Sequence, residues 1–139
     1  MFRDAATMIS GIGCDLLAVD RMERELLRAG YGFRDSVFTP AEIAHCSTRS
    51  RPALRFAQYF TAKEAVFKAL GLTGRDGFIW KQIEIVAGRG PRQVVLHGRA
   101  LARARELGVS GIHLSMTHTD RVALAKVVLE STPVEMSNS

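Results

Sequence analysis

Two carboxylates and a few basic side chains are the residues of this chain with chemistry to offer. Glu64 and Lys68 stand four apart in the run Phe60-Thr61-Ala62-Lys63-Glu64-Ala65-Val66-Phe67-Lys68-Ala69-Leu70-Gly71, which has helix-forming composition and ends on a glycine. Four apart on a helix means one face. A carboxylate and an ammonium therefore lie together, flanked by Phe60 and Phe67. One reading is a local ion pair, worth only about 0.3–0.5 kcal/mol if exposed. The other is part of a site. The second carboxylate is Asp15, in Gly11-Ile12-Gly13-Cys14-Asp15-Leu16-Leu17. Alternation in this strand-like run puts Ile12, Cys14 and Leu16 on one face and Asp15 with Leu17 on the other. A carboxylate among so many apolar neighbours needs a partner, unless it ends the strand in solvent. The two preceding glycines fit a close backbone approach or a bulge. Two carboxylates, with waters and substrate phosphates, are a usual way to hold Mg²⁺. Basic side chains nearby suit a phosphate-bearing substrate.

The elements that must position these groups can be read in order. Residues 1–8 read as a loose extension, 9–130 as one domain, and 131–139 as a frayed polar tail. A strand spans 9–19. Asp20 is expected to cap a helix over 21–29, stopped by Gly30. Met22, Leu26 and Ala29 form its buried face, and Arg21, Arg24 and Arg28 a basic stripe beside it. Such a stripe is by default a solvated face; the sharper reading is a docking surface for an acidic partner. Gly30, Tyr31 and Gly32 read as a turn. Thr39, Pro40 and Glu42 have the spacing of a capping box opening a short helix. A polar basic loop with Arg49 and Arg51 follows, and a long helix is expected from Pro52 to about Leu70. Beyond it come strands over 80–87 and 93–97 joined by a turn at 88–91, a helix over 99–107, and a hairpin of 112–118 with 122–129. The order β-α-α-α-β-β-α-β-β argues an α+β fold with a mainly antiparallel sheet packed with the long helix.

Composition bounds the rest. A chain of 139 residues with 47% hydrophobic content suits a single core. No apolar run has the length of a membrane span, and the N-terminus lacks the apolar stretch of a signal peptide. Two cysteines, Cys14 and Cys46, without metal-type spacing suggest a reducing cytoplasm, with a disulfide left open. A net charge of +5 favours an acidic partner. The chain has no Walker-type loop, no complete dinucleotide fingerprint, no HExxH or paired CxxC, and no nucleophile elbow. A basic nucleic-acid-binding module is a rival reading of the charge, but no RNP, KH or zinc-finger pattern accompanies it.

Residues 11–17 resemble the Gly-Ile-Gly-x-Asp-Ile-Val opening of the holo-[acyl-carrier-protein] synthases, the short trimeric type of 4′-phosphopantetheinyl transferase. Residues 60–71 resemble that family's second motif, Phe-Ala-Ala-Lys-Glu-Ala-x-x-Lys-Ala-x-Gly. The likeness continues through residues 82–85, Gly98 and Ala100, 113–118, and 125–130. It thus covers about residues 9–130, and the two motifs in order are together specific. The resemblance implies transfer of the 4′-phosphopantetheine arm of coenzyme A to a serine of an acidic acyl carrier protein. It implies Asp15 and Glu64 as Mg²⁺ ligands, with Glu64 and Lys68 in the catalytic machinery. Lys63, Lys68 and His118 would contact coenzyme A. Arg21 would meet the carrier, with Arg24 and Arg28 added by helical spacing alone. It further implies a homotrimer with sites between subunits, and no part for nucleic acid or membrane.

Two positions depart from the family pattern. Ala18 stands where members usually carry an acidic residue, and Tyr59 where an arginine commonly precedes the phenylalanine. The first bears on metal coordination and the second removes a charge available to a phosphate, for which Arg55, one turn away, is a substitute. These departures leave an inactive relative that binds coenzyme A or a carrier as the alternative.

Overall fold

The computed structural model describes residues 6–28, 31–75 and 77–133. Five strands and five α-helices follow in the order β1 (Met8–Ala18), α1 (Val19–Arg28), α2 (Tyr31–Val37), α3 (Pro40–Ser47), α4 (Pro52–Ala69), β2 (Ile83–Val86), β3 (Gln93–Leu96), α5 (Gly98–Glu106), β4 (Val109–His118) and β5 (Val122–Ser131). β5 runs between β1 and β4, antiparallel to both, and β2 with β3 forms a separate two-stranded antiparallel sheet. The α+β reading holds, with the antiparallel strands divided between two sheets.

α4 is the centre of the molecule. Eleven of its 18 residues are buried, as expected for a helix that other elements surround. It lies on β1 and β5, with α1, α3 and β2 around its other sides. The inner face of the large sheet presents Gly11 and Gly13 from β1 and Ala123, Ala125, Val127 and Leu129 from β5. α4 answers with Ala62, Ala65 and Ala69. Small residues on both sides let the backbones meet. A Cβ on Gly13 would sit 1.8 Å from the Ala65 carbonyl oxygen, and one on Gly11 would sit 2.3 Å from that of Ala69. Both features expected of these glycines are present, since the register with β5 also shifts between Ile9 and Gly11.

The opposite pole of α4 carries a buried ion pair. Lys63 and Glu42 have fully buried side chains, and Lys63 Nζ lies 2.8 Å from Glu42 Oε1. The same ammonium donates to the carbonyls of Trp80 and Ile83. Glu42 also closes the capping box of α3: its Oε1 accepts from the Thr39 N–H, and its own N–H donates to Thr39 Oγ1. Its Oε2 accepts from the Ile85 N–H at 2.8 Å. One carboxylate thus ties α3, α4 and β2 together through three contacts, with both oxygens engaged. Such satisfaction is the condition under which a buried charge pair is tolerated.

Several boundaries differ from the sequence reading. Tyr31 and Gly32 begin a helix, α2, and not a turn, so one more helix precedes the strands than expected. The gain comes from burial: Val37 and Phe38 are buried, and Phe33 packs edge-on against Phe38 and Phe60. Asp20 lies inside the first turn of α1, not at its cap. The Val19 N–H donates to the Arg121 carbonyl at 2.8 Å, so the helix is anchored to the β4–β5 turn. Asp20 still faces the positive helix end. β2 begins at Ile83, because Trp80–Gln82 form a 3₁₀ turn packed through Trp80 on Phe60, Phe67 and Phe78. Met8 already pairs with Ser131, so the strand intrudes on the expected extension, whose first five residues lie outside the described part. At the other end Thr132 bonds to the Gly108 carbonyl; residues 134–139, like Ala29 and Gly30, lie outside it too.

The glycine contact yields a direct test. Gly13→Ala should strongly lower the melting temperature or prevent folding, because the 1.8 Å contact is with backbone that cannot rotate away. Gly32→Ala, a helix position with nothing within 4 Å, should be neutral or stabilising by up to about 1 kcal/mol. Equal melting temperatures for Gly13→Ala and the parent chain would refute the close-approach account.

Candidate functional site

Packing β1 on α4 brings Asp15 to Glu64. Asp15 follows Gly13 by two residues, so it points to the same face of the sheet, toward the helix. It lines the same cleft as Glu64, near enough for its charge to act on that carboxyl. Burial, then the Asp15 charge, pushes Glu64 above the ordinary carboxylate range, while Lys68 and Arg21 pull it back. Lys68 Nζ sits 3.0 Å from Asp15 Oδ1 and donates to the Cys14 carbonyl at 3.2 Å. The hydrogen bond to Asp15 is the main cause holding the Lys68 ammonium above its usual value. The ion partner of Lys68 is therefore Asp15, across the helix–sheet contact, and not Glu64 on its own helix.

A cleft of about 370 Å³ opens beside the pair, lined by Asp15, Glu64, Arg21 and Glu25 with Leu17, Met22, Phe33 and Phe60. Its mixture of charged and apolar lining side chains is the usual make-up of a ligand site. A wider cleft, about 700 Å³, lies between β3 and β4 and contains no carboxylate. The two carboxylates are at the smaller one. Phe33 escaped the sequence reading because α2 did; its four-residue spacing from Val37 was the available signal.

The other expected site residues distribute unevenly. Arg21, Arg24 and Arg28 are all exposed on α1, though Arg28 is engaged with Glu25 at 3.2 Å. Arg21 alone of the three reaches the cleft. His118 is exposed at the end of β4, its Nδ1 3.1 Å from the Thr119 carbonyl oxygen. It pairs with Ala123, which pairs with Leu17. His118 and the Asp15 strand are thus two strands apart, about 10 Å. Arg51 donates to the Asp120 carbonyl at 2.7 Å, which brings the basic loop beside this turn. Lys63 must be corrected: its buried ammonium is spent on Glu42 and two carbonyls, so it has no access to a phosphate in the cleft. Cys14 and Cys46 are both free thiols. Burial pushes Cys46 up to about 12, which leaves it an inert core residue.

Among the described residues no group of three or more His, Cys, Asp or Glu could hold a metal. With Ala18 exposed at the strand end and Glu25, the cleft's third carboxylate, paired with Arg28, Asp15 and Glu64 are the carboxylates at hand. Two carboxylates forced together repel, and a hard divalent cation is the species that relieves them. The donor set therefore fits Mg²⁺ completed by non-protein oxygens.

The raised Glu64 has a consequence for metal-free protein. A carboxyl whose folded value lies above its unfolded one favours folding only at low pH. Its cost enters as pH rises from the unfolded value through the folded one. At neutral pH, without divalent cation, Glu64→Gln should melt higher than the parent chain, and the difference should vanish below the ordinary carboxylate range. A lower melting temperature for Glu64→Gln at neutral pH would show that Glu64 is not frustrated.

Comparison with known proteins agrees with this geometry. Residues 11–125 match the family model of the 4′-phosphopantetheinyl transferase superfamily. The chain is 40% identical over 124 residues to the holo-[acyl-carrier-protein] synthase of Koribacter versatilis, covering 88% of this chain and 99% of that one. Among solved structures, the holo-[acyl-carrier-protein] synthase of Neisseria meningitidis superposes with a TM-score of 0.79 at 32% identity, covering 89% of this chain and 100% of the other. The holo-(acyl-carrier-protein) synthase of Bacillus anthracis, solved in complex with CoA (3′,5′-ADP), gives a TM-score of 0.71 at 30% identity, covering 89% and 98%. With both motif helix and motif strand inside the matched span, the chain belongs to the 4′-phosphopantetheinyl transferase superfamily.

Proposed function

We propose that this chain is a holo-[acyl-carrier-protein] synthase, which moves the 4′-phosphopantetheine group of coenzyme A onto a serine of an apo acyl carrier protein and releases 3′,5′-ADP. The observation that carries the reading is the Asp15–Glu64 pair, held against each other beside Lys68 and Arg21 at the mouth of a cleft. Mg²⁺ bound by Asp15 and Glu64 would supply positive charge to the diphosphate as it accumulates negative charge. The chain's own groups do the rest. Lys68, half exposed beside Asp15, is open to a phosphate oxygen on this reading. The carrier serine oxygen forms the new bond to the β-phosphorus, and the bond from that phosphorus to the oxygen of 3′,5′-ADP breaks. The serine proton needs an acceptor, and on this reading Glu64, a carboxylate lining the cleft, takes it. His118 and the Arg51 loop, adjacent at one end of the sheet, suit the nucleotide end of coenzyme A.

The carrier docks, on this reading, along the exposed stripe of α1. Arg21 is next to the metal carboxylates, and Arg24 and Arg28 extend the charge away from them. Individually such contacts are weak, but together they steer an acidic partner and orient it. No helix among the described residues is long and apolar enough to cross a membrane, and we place the enzyme in the cytoplasm.

A homotrimer accounts for the outer face of the large sheet. Ile12 and Leu16 are both 62% exposed there, beside Leu124 and Val128 on β5. An apolar sheet face of this kind marks an interaction surface. Leu16→Glu should convert the assembly to single chains, as read by light scattering. A parent protein with the mass of one chain at active concentrations would overturn the trimer.

Transfer itself is tested by following label from pantetheine-labelled coenzyme A onto an apo carrier. Asp15→Ala should abolish transfer with the fold retained. Lys68→Ala should lower kcat by about tenfold or more, the loss expected for a charged hydrogen bond. Arg21→Glu should raise KM for the carrier while leaving that for coenzyme A nearly unchanged, and added salt should mimic it. Transfer that persists in Asp15→Ala would sink the assignment, and an unlabelled carrier with the parent chain would favour an inactive binding relative.

A further inference from the structure

The turn that ends α4 is held from outside by a side chain that the transfer reaction, as read above, does not use. Leu70, Gly71 and Leu72 close the helix. Their N–H groups donate to the carbonyls of Val66, Lys68 and Phe67 at 2.9, 3.1 and 3.2 Å. Gly71 takes φ +65°, the left-handed conformation common just past a helix. The Leu70 carbonyl accepts from Arg103 Nε, on α5, at 2.9 Å. Leu70 is fully buried, so water is a poor substitute for that donor.

Arg103 is itself held. Its Nη1 donates to Glu106 Oε2 at 3.2 Å, and Glu106 Oε1 accepts from Arg99 Nη1 at 3.1 Å. Its Nη2 lies 3.6 Å from the place a Cβ on Gly71 would take, so the guanidinium covers the turn. A planar fork that gives one donor to a carbonyl and another to a carboxylate has a fixed aim, which a flexible ammonium lacks. α5 is fixed at its start as well. The Ala100 N–H donates to Gln82 Oε1 at 3.3 Å, and the His97 N–H to the Gln82 carbonyl at 2.8 Å. Gln82 ends the 3₁₀ turn whose Trp80 packs on Phe60 and Phe67 of α4. α4, this turn and α5 thus close a ring of contacts, and Arg103 is the link that returns to α4.

The link holds the last turn of α4, and Lys68 is in that turn. Helix ends fray where their carbonyls are left unmet. Lys68 reaches across to Asp15 at 3.0 Å and to the Cys14 carbonyl at 3.2 Å, with half of its side chain in solvent. Its aim therefore depends on where the backbone puts it. Glu64 lies one turn earlier, between Lys63 and Ala65, both fully buried, and is set by the core. We propose that Arg103 is a positioning residue for the transfer reaction. Through the Leu70 carbonyl it fixes the last turn of α4 and so the place of Lys68, while the Asp15–Glu64 pair is set without it. This inference rests on the transferase reading and adds a residue that acts through Lys68.

Hydrogen exchange and label transfer test it separately. In the metal-free full chain, Arg103→Gln should speed exchange of the Leu70, Gly71 and Leu72 amides about tenfold, with the β5 amides within about twofold of the parent. In the labelled coenzyme A assay, Arg103→Gln should lower kcat about fivefold, with KM for the carrier and the Mg²⁺ requirement unchanged. Added to Lys68→Ala it should cause no further loss, because the group it places is already gone. Glu106→Gln, an exposed change that only frees the fork, should act in the same direction more weakly, which guards against a folding defect at Arg103. Arg105→Gln removes the same charge from an exposed position on α5 and should change nothing. Exchange that is unchanged or faster throughout, or a kcat loss that multiplies with that of Lys68→Ala, would overturn the proposal. A parent chain that transfers no label would overturn the transferase reading and the role in transfer with it, whereas faster exchange confined to the last turn would still establish the tether.

Discussion

The structure depends on the distance between one strand and one helix. Gly11 and Gly13 let β1 lie directly on the carbonyls of Ala69 and Ala65. No other residue allows that approach, since any Cβ would have to occupy the space of a backbone oxygen. The approach decides where Asp15 goes. Two residues beyond Gly13 and on the same face, it has nowhere to lie but against Glu64 and Lys68. A strand held off by even one methyl layer would move the two carboxylates apart and relieve their mutual repulsion. The glycines are therefore as necessary to the site as the acids, although they touch no ligand.

α4 distributes its charges by face, and each face uses them differently. Toward β1 it presents Glu64 and Lys68, partly solvated and only loosely satisfied, so that their partners can be exchanged. Toward α3 and β2 it presents Lys63, fully buried and with every donor committed. The first arrangement leaves Glu64 frustrated, a condition that favours the arrival of a cation. The second is rigid and holds the helix in register with the elements around it. Adjacent residues in one motif thus serve opposite ends, because a 100° step round the helix moves a side chain from a cleft into the core.

The outer face of the sheet remains the unfinished surface of the single chain. Ile12 and Leu16 stand in solvent there. Exposed apolar area of this kind is costly as it stands. The cost would disappear on the proposed association with further copies of the chain.

Much was legible from residue order. The capping box at Thr39 and Glu42, the long helix from Pro52, the hairpin of β4 with β5, and the close-approach glycines all follow from local propensity and periodicity. These are rules that act within a few residues. What local rules could not reach depended on partners distant in the chain. α2 exists because Phe33 and Val37 find a core built by α4. β2 starts late because Trp80 joins an aromatic cluster with Phe60 and Phe67. Lys63 sat in the motif beside Glu64 and looked equally available, yet Glu42, 21 residues earlier, takes it into the interior. Lys68 looked paired with Glu64 on its own helix, and the strand supplied Asp15 instead. The sequence by itself determined the residue types and their spacing along each element, because these rest on backbone geometry alone. Only the tertiary structure decided which charges meet, because that rests on how closely β1 and α3 pack against α4.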